Sequence, residues 1–143
     1  MVKAPFKVFV DADAFIALIK ADDQNHSKAK AIFERLSGRN MHFLTSNYVF
    51  AEVVTVLSLR VSRQAAMDFM DSIRSAQDEF PMVFVDKDIE TKAIDIFKQQ
   101  TSKNVSFMDC CHMACVRHFH LDGIFSFDQI YSQNKIPMAV NLA

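Results

Sequence analysis

The chain has 143 residues and a formal net charge of −1; half of its residues are hydrophobic and 23% are charged. These values are typical of an ordinary soluble globular protein, and we expect a single domain over residues 1–143. The sequence has no run of basic residues that would predict a nucleic-acid-binding arm, and it has no apolar run long enough to span a membrane. The scattered charge does not exclude a polyanionic substrate, because metal ions can supply positive charge.

The N-terminus and the cysteines bear on the cellular compartment. The first residues, M-V-K-A-P-F-K, lack the apolar core of a signal peptide. The cysteines are clustered at Cys110, Cys111 and Cys115, which is not the pattern of a disulfide framework. We therefore expect a reduced, cytoplasmic protein.

The first predicted elements are a strand and two helices. Phe6–Val10 is a continuous apolar run typical of a buried parallel strand. A helix over residues 13–21 and the polar loop D-D-Q-N-H-S follow it. Lys28–Leu36 has apolar residues at helical spacing, and Gly38 is a natural end for that helix.

A second strand and two helices come next. Met41–Leu44 predicts the strand, and Tyr48–Leu59 predicts a strongly apolar helix that is interrupted only by Glu52. Ser62 is a suitable N-cap for a further helix, Arg63–Gln77, which has one apolar face.

The remaining chain continues the alternation. Met82–Val85 predicts a third strand, and Asp88 is expected to cap a helix that extends to about residue 100. Ser106 opens a helix that runs to about residue 119. Gly123–Phe127 predicts a fourth strand and Met138–Val140 a fifth. The alternation predicts a three-layer α/β/α fold around a mostly parallel sheet of four to five strands.

Four acidic residues stand out against their apolar surroundings. Asp11 and Asp128 each follow an apolar strand, and parallel strands place their carboxyl ends at the same edge of a sheet. Glu52 interrupts an apolar helix, although glutamate is rarely buried unless it is paired. Asp109 lies in the first turn of an otherwise apolar helix.

Each acid also has a purely structural explanation. Asp11 and Asp13 suit helix caps, and Asp109 suits the last position of a capping box. Asp128 suits a turn, and Glu52 suits the exposed edge of its helix. The occurrence of all these acids in one chain indicates a catalytic or metal-binding site.

A cluster of carboxylates needs a cation. Carboxylates that lie close together repel one another, so that some take up protons or the site splays apart. Mg²⁺ or Mn²⁺ resolves this conflict, because both ions prefer oxygen ligands. Such an ion lowers the pKa of a bound water and polarises a phosphoryl oxygen. The sequence therefore predicts a Mg²⁺ or Mn²⁺ site that activates water.

Five segments in chain order carry a family resemblance. They are V-F-V-D-A-D-A-F-I-A-L, D-D-Q-N-H-S-K-A-K-A-I-F, T-S-N-Y-V-F-A-E-V-V-T-V-L, S-F-M-D-C-C-H-M-A-C and G-I-F-S-F-D-Q-I-Y. Together they resemble the PIN domain, a family of metal-dependent nucleases that includes the VapC-type toxins of toxin–antitoxin pairs. The resemblance covers nearly the whole chain.

This resemblance implies a set of catalytic, metal-binding acids, namely Asp11, Glu52, Asp109 and Asp128. It also implies a hydroxyl near the metal from Ser126 and a supporting role for Asp13, whereas Ala12 replaces a frequent Thr or Ser. The implied activity is hydrolysis of RNA by metal-activated water, leaving a 5′-phosphate and a 3′-hydroxyl. The implied partners are an inhibitory antitoxin and, as a homodimer, a second copy of the chain.

Two other functions stay open at this point. Asp11 and Asp13 resemble the acidic pair of haloacid-dehalogenase-like phosphatases, in which the first aspartate is the nucleophile. Here Ala14 follows the pair, and the chain has no Gly-Asp motif. The other alternative is a non-catalytic PIN-like module that binds RNA or a protein.

A cluster of cysteines and histidines in the predicted sixth helix suggests zinc, but the spacing is not that of a standard zinc site. We interpret Cys111 and Cys115 as small buried hydrophobes. His112 follows Asp109 by three residues, which would let it contact the site, but we favour an ordinary histidine on the face of its helix.

Overall fold

A computed structural model describes residues 4–141 of the chain. In that range the elements are β1 Phe6–Val10, α1 Ala12–Ile19, α2 His26–Ser37, β2 Met41–Ser46, α3 Asn47–Arg60, α4 Arg63–Ser75, β3 Met82–Val83, α5 Lys87–Gln99, α6 Phe107–His118, β4 Gly123–Phe125, α7 Ile130–Gln133 and a 3₁₀ turn at Ala139–Asn141. None of these helices is long and apolar enough to cross a lipid bilayer.

The strands form a parallel sheet in the order β3-β2-β1-β4, so that β1 lies between β2 and β4. The successive residues Val8–Val10 are all buried, which requires that helices cover both faces of the sheet. The helices form two packed groups, one of α1 to α4 and the other of α5 and α6. The predicted three-layer α/β/α architecture is confirmed.

Short polar side chains begin five of the helices described. Asp11, Ser46, Ser62, Asp86 and Ser106 each accept a hydrogen bond from a backbone N–H in the first turn of the following helix. The caps predicted at Ser62 and Ser106 are therefore confirmed. Because β1 and β2 lead directly into caps, α1 and α3 begin at the carboxyl end of the sheet.

The predicted cap at Asp88 is wrong. Asp86 is the N-cap of α5, and its Oδ1 accepts from the backbone N of Ile89 at 3.0 Å. Asp88 lies inside the first turn, where its charge still suits the positive end of the helix dipole. The strand before this helix is correspondingly shorter than predicted and ends at Val83.

The predicted fifth strand, Met138–Val140, is also wrong. Met138 forms a single isolated bridge to Ile124, after which the chain turns into the 3₁₀ segment. The backbone N of Asn141 donates to the carbonyl of Met138 at 3.0 Å, so this segment makes a hydrogen bond within itself and not to a neighbouring strand. The sheet of the described residues therefore has four strands.

Gly123 generates a stability prediction, because it lies against the backbone of Pro137. A Cβ at position 123 would lie 2.8 Å from the Pro137 carbonyl oxygen, which also accepts a hydrogen bond from the backbone N of Ile124. We expect Gly123→Ala to lower the free energy of unfolding by roughly 1–3 kcal/mol, as overpacking does. Urea denaturation measures this change.

The matched control is Gly38→Ala. There the nearest atoms to a new Cβ are 3.7 Å away and the φ angle is −77°, so we expect no loss of stability. Equal losses in both variants would contradict the proposed backbone contact at Gly123.

The corrected cap generates a second prediction. We expect Asp86→Ala to cost about 1 kcal/mol of unfolding free energy through loss of the cap to Ile89. Asp88→Ala should change stability little, since the small loss of dipole interaction is offset by the helix propensity of alanine. Thermal melts of both variants check this, and a larger loss in Asp88→Ala would contradict the assignment.

Candidate active site

Asp11 lies at the carboxyl end of the central strand and is fixed by both neighbouring strands. Its backbone N donates to the carbonyl of Phe125 in β4 at 3.0 Å. On the other side, Thr45 Oγ1 of β2 donates to the carbonyl of Val10 at 3.1 Å. Only 7% of Asp11 is exposed. The sheet itself therefore positions this carboxylate.

The Asp11 side chain is surrounded by hydrogen-bond donors. Oδ1 accepts from the backbone N of Ala12 at 2.7 Å, and Oδ2 accepts from the Tyr131 hydroxyl at 2.9 Å. The Nε2 atom of His112 lies 3.3 Å from Oδ1. Burial nevertheless raises the pKa of Asp11 above its ordinary value, against the opposing effects of His112 and the hydrogen bonds. The buried carboxylate is thus not fully compensated by its neighbours.

Glu52 meets this group from helix α3. Its Oε1 lies 3.4 Å from His112 Nε2, and its side chain is 37% exposed. Single ligand atoms of Asp11, Glu52 and His112 all lie within 4.8 Å of one another. Glu52 therefore forms the solvent-facing side of a compact group whose other members are buried.

The interpretation of His112 as an ordinary helix-face histidine is wrong. Helix α6 is buried along most of its length, and the His112 side chain is only 1% exposed. The His112 ring lies between the carboxylates of Asp11 and Glu52, with its centroid 5.6 Å from that of the Phe9 ring. Burial alone would lower the pKa of His112, but the carboxylates of Asp11 and Glu52 outweigh it and raise that pKa. The one sequence signal was its position three residues after Asp109, on the same helix face.

Asp109 has both a structural and a site-facing contact. Its Oδ2 accepts from the backbone N of Ser106 at 2.9 Å, while Ser106 Oγ accepts from the backbone N of Asp109. The predicted capping box is therefore present. Its other oxygen, Oδ1, lies 3.4 Å from the hydroxyl of Tyr131. Asp109 is thus one side chain away from Asp11, which accepts from the same hydroxyl.

Tyr131 is a site residue that sequence reasoning missed. Its ring is fully buried in α7, and its hydroxyl bridges the carboxylates of Asp11 and Asp109. Burial and then these two carboxylates raise its pKa far above the ordinary value, so the hydroxyl stays a donor. The only signal in the sequence was a tyrosine three residues after Asp128, since a buried tyrosine hydroxyl usually has a partner.

Asp13 and Ser126 form a second set of contacts beside the first. Asp13 Oδ2 accepts from Ser126 Oγ at 3.0 Å and from the backbone N of Phe127 at 2.8 Å. Asp13 Oδ1 is buried and has no hydrogen-bond partner among the residues that the structure describes. Burial, followed by the charge of Asp11, raises the pKa of Asp13 to about 7.

These contacts also explain why β4 ends at Phe125 and not at Phe127 as predicted. The backbone N of Phe127 bonds to Asp13 and leaves the ladder. Asp128 then makes the predicted turn contact, with Oδ1 accepting from the backbone N of Ile130 at 3.1 Å. Asp128 is exposed and lies outside the compact group around His112, on the wall of an open cavity that Glu52 also lines.

A sequence profile of the PIN domain matches residues 8–136. This chain belongs to the PIN domain family. It is 27% identical over 125 residues to the 23S rRNA-specific endonuclease VapC20 of Mycobacterium tuberculosis, a match that covers 87% of this chain and 92% of VapC20.

Two solved structures share this PIN fold. The crystal structure of Mycobacterium tuberculosis VapC20, described as a Sarcin-Ricin loop cleaving toxin, matches with a TM-score of 0.80 at 24% identity, covering 91% of this chain and 96% of that one. A toxin–antitoxin complex from Klebsiella pneumoniae matches with a TM-score of 0.60 at 15% identity, covering 85% and 87%. At these identities the likeness shows the fold alone.

The donor set of this PIN domain fits a hard divalent cation. A metal-ligating histidine almost always donates its second ring nitrogen to a partner, yet His112 Nδ1 is buried without one in the range 4–141. The Nε2 atom of His112 lies within 3.4 Å of both carboxylates, so this side of the ring contacts Asp11 and Glu52 themselves. The carboxylate oxygens are therefore the better ligands, and oxygen ligands suit Mg²⁺ or Mn²⁺.

The three cysteines lie in the interior and are free. Burial, and to a lesser degree neighbouring thiols, raise the pKa of Cys111 to about 11 and that of Cys115 to about 12. Both thiols are therefore neutral at pH 7 and pack as small apolar groups. The interpretation of these residues as small buried hydrophobes is confirmed by their burial.

The bridge through Tyr131 generates the third prediction. Tyr131→Phe keeps the buried ring but removes the hydroxyl that positions Asp11 and Asp109. We expect roughly 10–100-fold weaker Mn²⁺ binding, as for the loss of a group that orients metal ligands, with about 1 kcal/mol less stability. Isothermal titration calorimetry and thermal melts measure the two effects.

Tyr48→Phe is the matched control. The Tyr48 hydroxyl donates to Glu90 Oε2 at 3.1 Å on the protein surface, and its loss should leave Mn²⁺ affinity unchanged. If Tyr131→Phe also binds Mn²⁺ as tightly as the wild type, the hydroxyl does not organise the ligands.

Proposed function

We propose that this protein is a Mg²⁺- or Mn²⁺-dependent endoribonuclease of the PIN family that hydrolyses RNA phosphodiester bonds. One observation carries the proposal, namely the convergence of the Asp11 and Glu52 carboxylates within 4.8 Å at the carboxyl end of the sheet. A carboxylate whose pKa is raised by burial binds either a proton or a cation. The residues around Asp11 hold its carboxylate in place, so that it is oriented to bind a cation.

In this proposal the chain's own residues hold and orient the reacting groups. Asp11 and Glu52 are the first cation ligands, and Asp109 joins them from the other side of the Tyr131 hydroxyl. His112 lies between the two first ligands, with Nε2 3.3 Å from Asp11 Oδ1 and 3.4 Å from Glu52 Oε1, and keeps them together. A divalent ion at this position would lower the pKa of a bound water and polarise a phosphoryl oxygen.

Three further residues act on the open side of the group. Asp128 is proposed as the ligand or base nearest to solvent, since it is exposed and lines the same cavity as Glu52. Ser126 and Asp13 form a hydrogen-bonded pair that holds the chain after β4 in position. The unpartnered Oδ1 of Asp13 is suited to accept from a bound water.

The relatives support a role as the toxin of a toxin–antitoxin pair. VapC20 is a 23S rRNA-specific endonuclease, and the structural neighbour from Klebsiella pneumoniae is a toxin–antitoxin complex. We therefore propose RNA as the substrate and an antitoxin protein as the inhibitory partner of this chain. A homodimer is part of the same proposal.

The phosphatase alternative is disfavoured by the sequence around the pair Asp11 and Asp13. Ala14 follows the pair, and the chain has no Gly-Asp motif. No contact in the described range favours a non-catalytic module over an enzyme.

Cleavage of RNA with metal removal tests the proposal and is the fourth prediction. We expect the wild type to cut ribosomal RNA with Mn²⁺ or Mg²⁺, leaving 5′-phosphate ends, and to stop when EDTA is added. Asp11→Asn should reduce the rate roughly 100-fold or more, because the cation contributes several kcal/mol to the transition state. Asp22→Asn, which removes a surface ion pair with Lys20, should retain the rate.

Thermal melts distinguish a loss of catalysis from a loss of metal binding. Mn²⁺ should raise the melting temperature of the wild type, because a ligand bound only by the folded state stabilises it, and should not raise that of Asp11→Asn. Absence of cleavage with an intact metal response would favour the non-catalytic module. Trapping of beryllium fluoride on Asp11 would favour the phosphatase.

A further inference from the structure

An open cavity of about 450 Å³ lies beside the acidic group and has Glu52 and Asp128 in its wall. Its volume is within the range of sites that hold small molecules. Its lining also includes the aromatic residue Phe127, the amide residues Gln24 and Asn25, and the cationic residue Arg60. We call this cavity the Phe127 pocket.

The position of the Phe127 ring is fixed by a backbone hydrogen bond and by a contact with a neighbouring ring. The backbone N of Phe127 donates to the buried Asp13, and its ring lies 6.1 Å from the ring of Phe125 at an interplanar angle of 65°. The side chain is half-buried, and Lys28 Nζ lies 5.7 Å from the ring centroid. Aromatic rings are stacking platforms for bases, and the flexible Lys28 side chain, whose ammonium now lies over this ring, would turn to a phosphate of the bound strand.

The amide of Asn25 is available to a ligand. Asn25 begins α2, and asparagine is among the best residues for capping a helix through its side chain, yet within the described chain it makes no such bond. The loop is fixed in another way, because Asn25 N donates to Asp23 Oδ1 and the His26 ring bonds to the carbonyl of Ala17 at 2.7 Å. An amide that presents a donor and an acceptor can pair with the edge of a nucleobase.

The charges at the pocket are divided. Four acidic residues line it, namely Asp13, Asp23, Glu52 and Asp128, so that a phosphate beside them needs a cation, as the proposed function supplies. Arg60, the last residue of α3, lines the pocket, and Lys28 lies over the ring of Phe127. These two cations can pair with the phosphates of the neighbouring nucleotides.

We propose that the Phe127 pocket binds one unpaired nucleotide of the RNA substrate, next to the phosphate that is cut. The base stacks on Phe127, the amides of Gln24 and Asn25 contact its edge, and Arg60 and Lys28 contact the flanking phosphates. The inference rests on the proposed ribonuclease function and names the residues that bind one nucleotide beside the cut. A base that is paired in a duplex cannot enter this pocket.

Fluorescence anisotropy with a short labelled single-stranded RNA of mixed sequence tests the proposal, in buffer with Mg²⁺ and with RNA integrity checked on a gel. We expect Phe127→Ala to bind about tenfold more weakly, the effect of losing one stacked base. Phe127→Tyr should bind like the wild type, because it keeps the aromatic face. Phe84→Ala, which truncates a 64% exposed phenylalanine elsewhere on the surface, should also leave binding unchanged.

Three outcomes would overturn the proposal. The first is wild-type affinity in a folded Phe127→Ala variant, and the second is wild-type affinity in Phe127→Leu, which keeps apolar contact without a stacking face. The third is equally tight binding of the same RNA as a duplex. If Phe127→Ala does not fold, Asn25→Ala and Lys28→Ala replace it, and wild-type affinity in both would overturn the proposal as well.

Cleavage of ribosomal RNA by the same variants separates this inference from the proposed function. If the wild type cuts RNA and Phe127→Ala cuts it at the same rate, the nucleotide pocket is overturned and the ribonuclease function is not. Binding that depends on Phe127 in a wild-type protein that cuts no RNA would support the pocket and overturn the ribonuclease.

Discussion

The carboxylate of Asp11 is buried at the end of the central strand, and a buried charge is costly unless it is compensated. Two donors bond to it, the backbone N–H of Ala12 and the hydroxyl of Tyr131, and Nε2 of His112 lies 3.3 Å away. Burial still outweighs them and raises its pKa. The core of this protein is therefore organised around a carboxylate that a cation would stabilise further, and the burial of two polar rings follows from that requirement.

Two carboxylates divide their oxygens between a structural contact and the candidate site. Asp109 uses Oδ2 to complete the capping box and Oδ1 to approach Tyr131. Asp13 uses Oδ2 to hold the backbone after β4, while its Oδ1 stays without a partner among the described residues. One oxygen of each side chain fixes the other, so an acid that caps a helix can also be a pre-oriented ligand. The exposed fraction of the side chain increases from 10% in Asp11 to 37% in Glu52, so the group is open to solvent on the side of Glu52.

Most of the fold followed from local patterns. Continuous apolar runs marked the strands, helical spacing marked the helices, and serines marked two helix starts, because burial on both faces and the needs of unpaired N–H groups are local properties. The fifth strand at Met138–Val140 failed because a strand exists only if a neighbour pairs with it, and there the chain bonds to itself. Asp86 and Asp88 are both plausible caps in sequence, and the backbone path decided between them.

The sequence by itself determined which acids interrupt apolar segments and, through the order of strands and helices, that Asp11 and Asp128 follow strands. Tertiary structure alone decided that His112 joins Glu52 across 60 residues of chain and that Tyr131 joins Asp11 across 120. The physical reason is that periodicity specifies which face of an element is buried, whereas the identity of the buried partner depends on how the elements pack. A buried histidine or tyrosine therefore looks like ordinary core in the sequence until its neighbours are known.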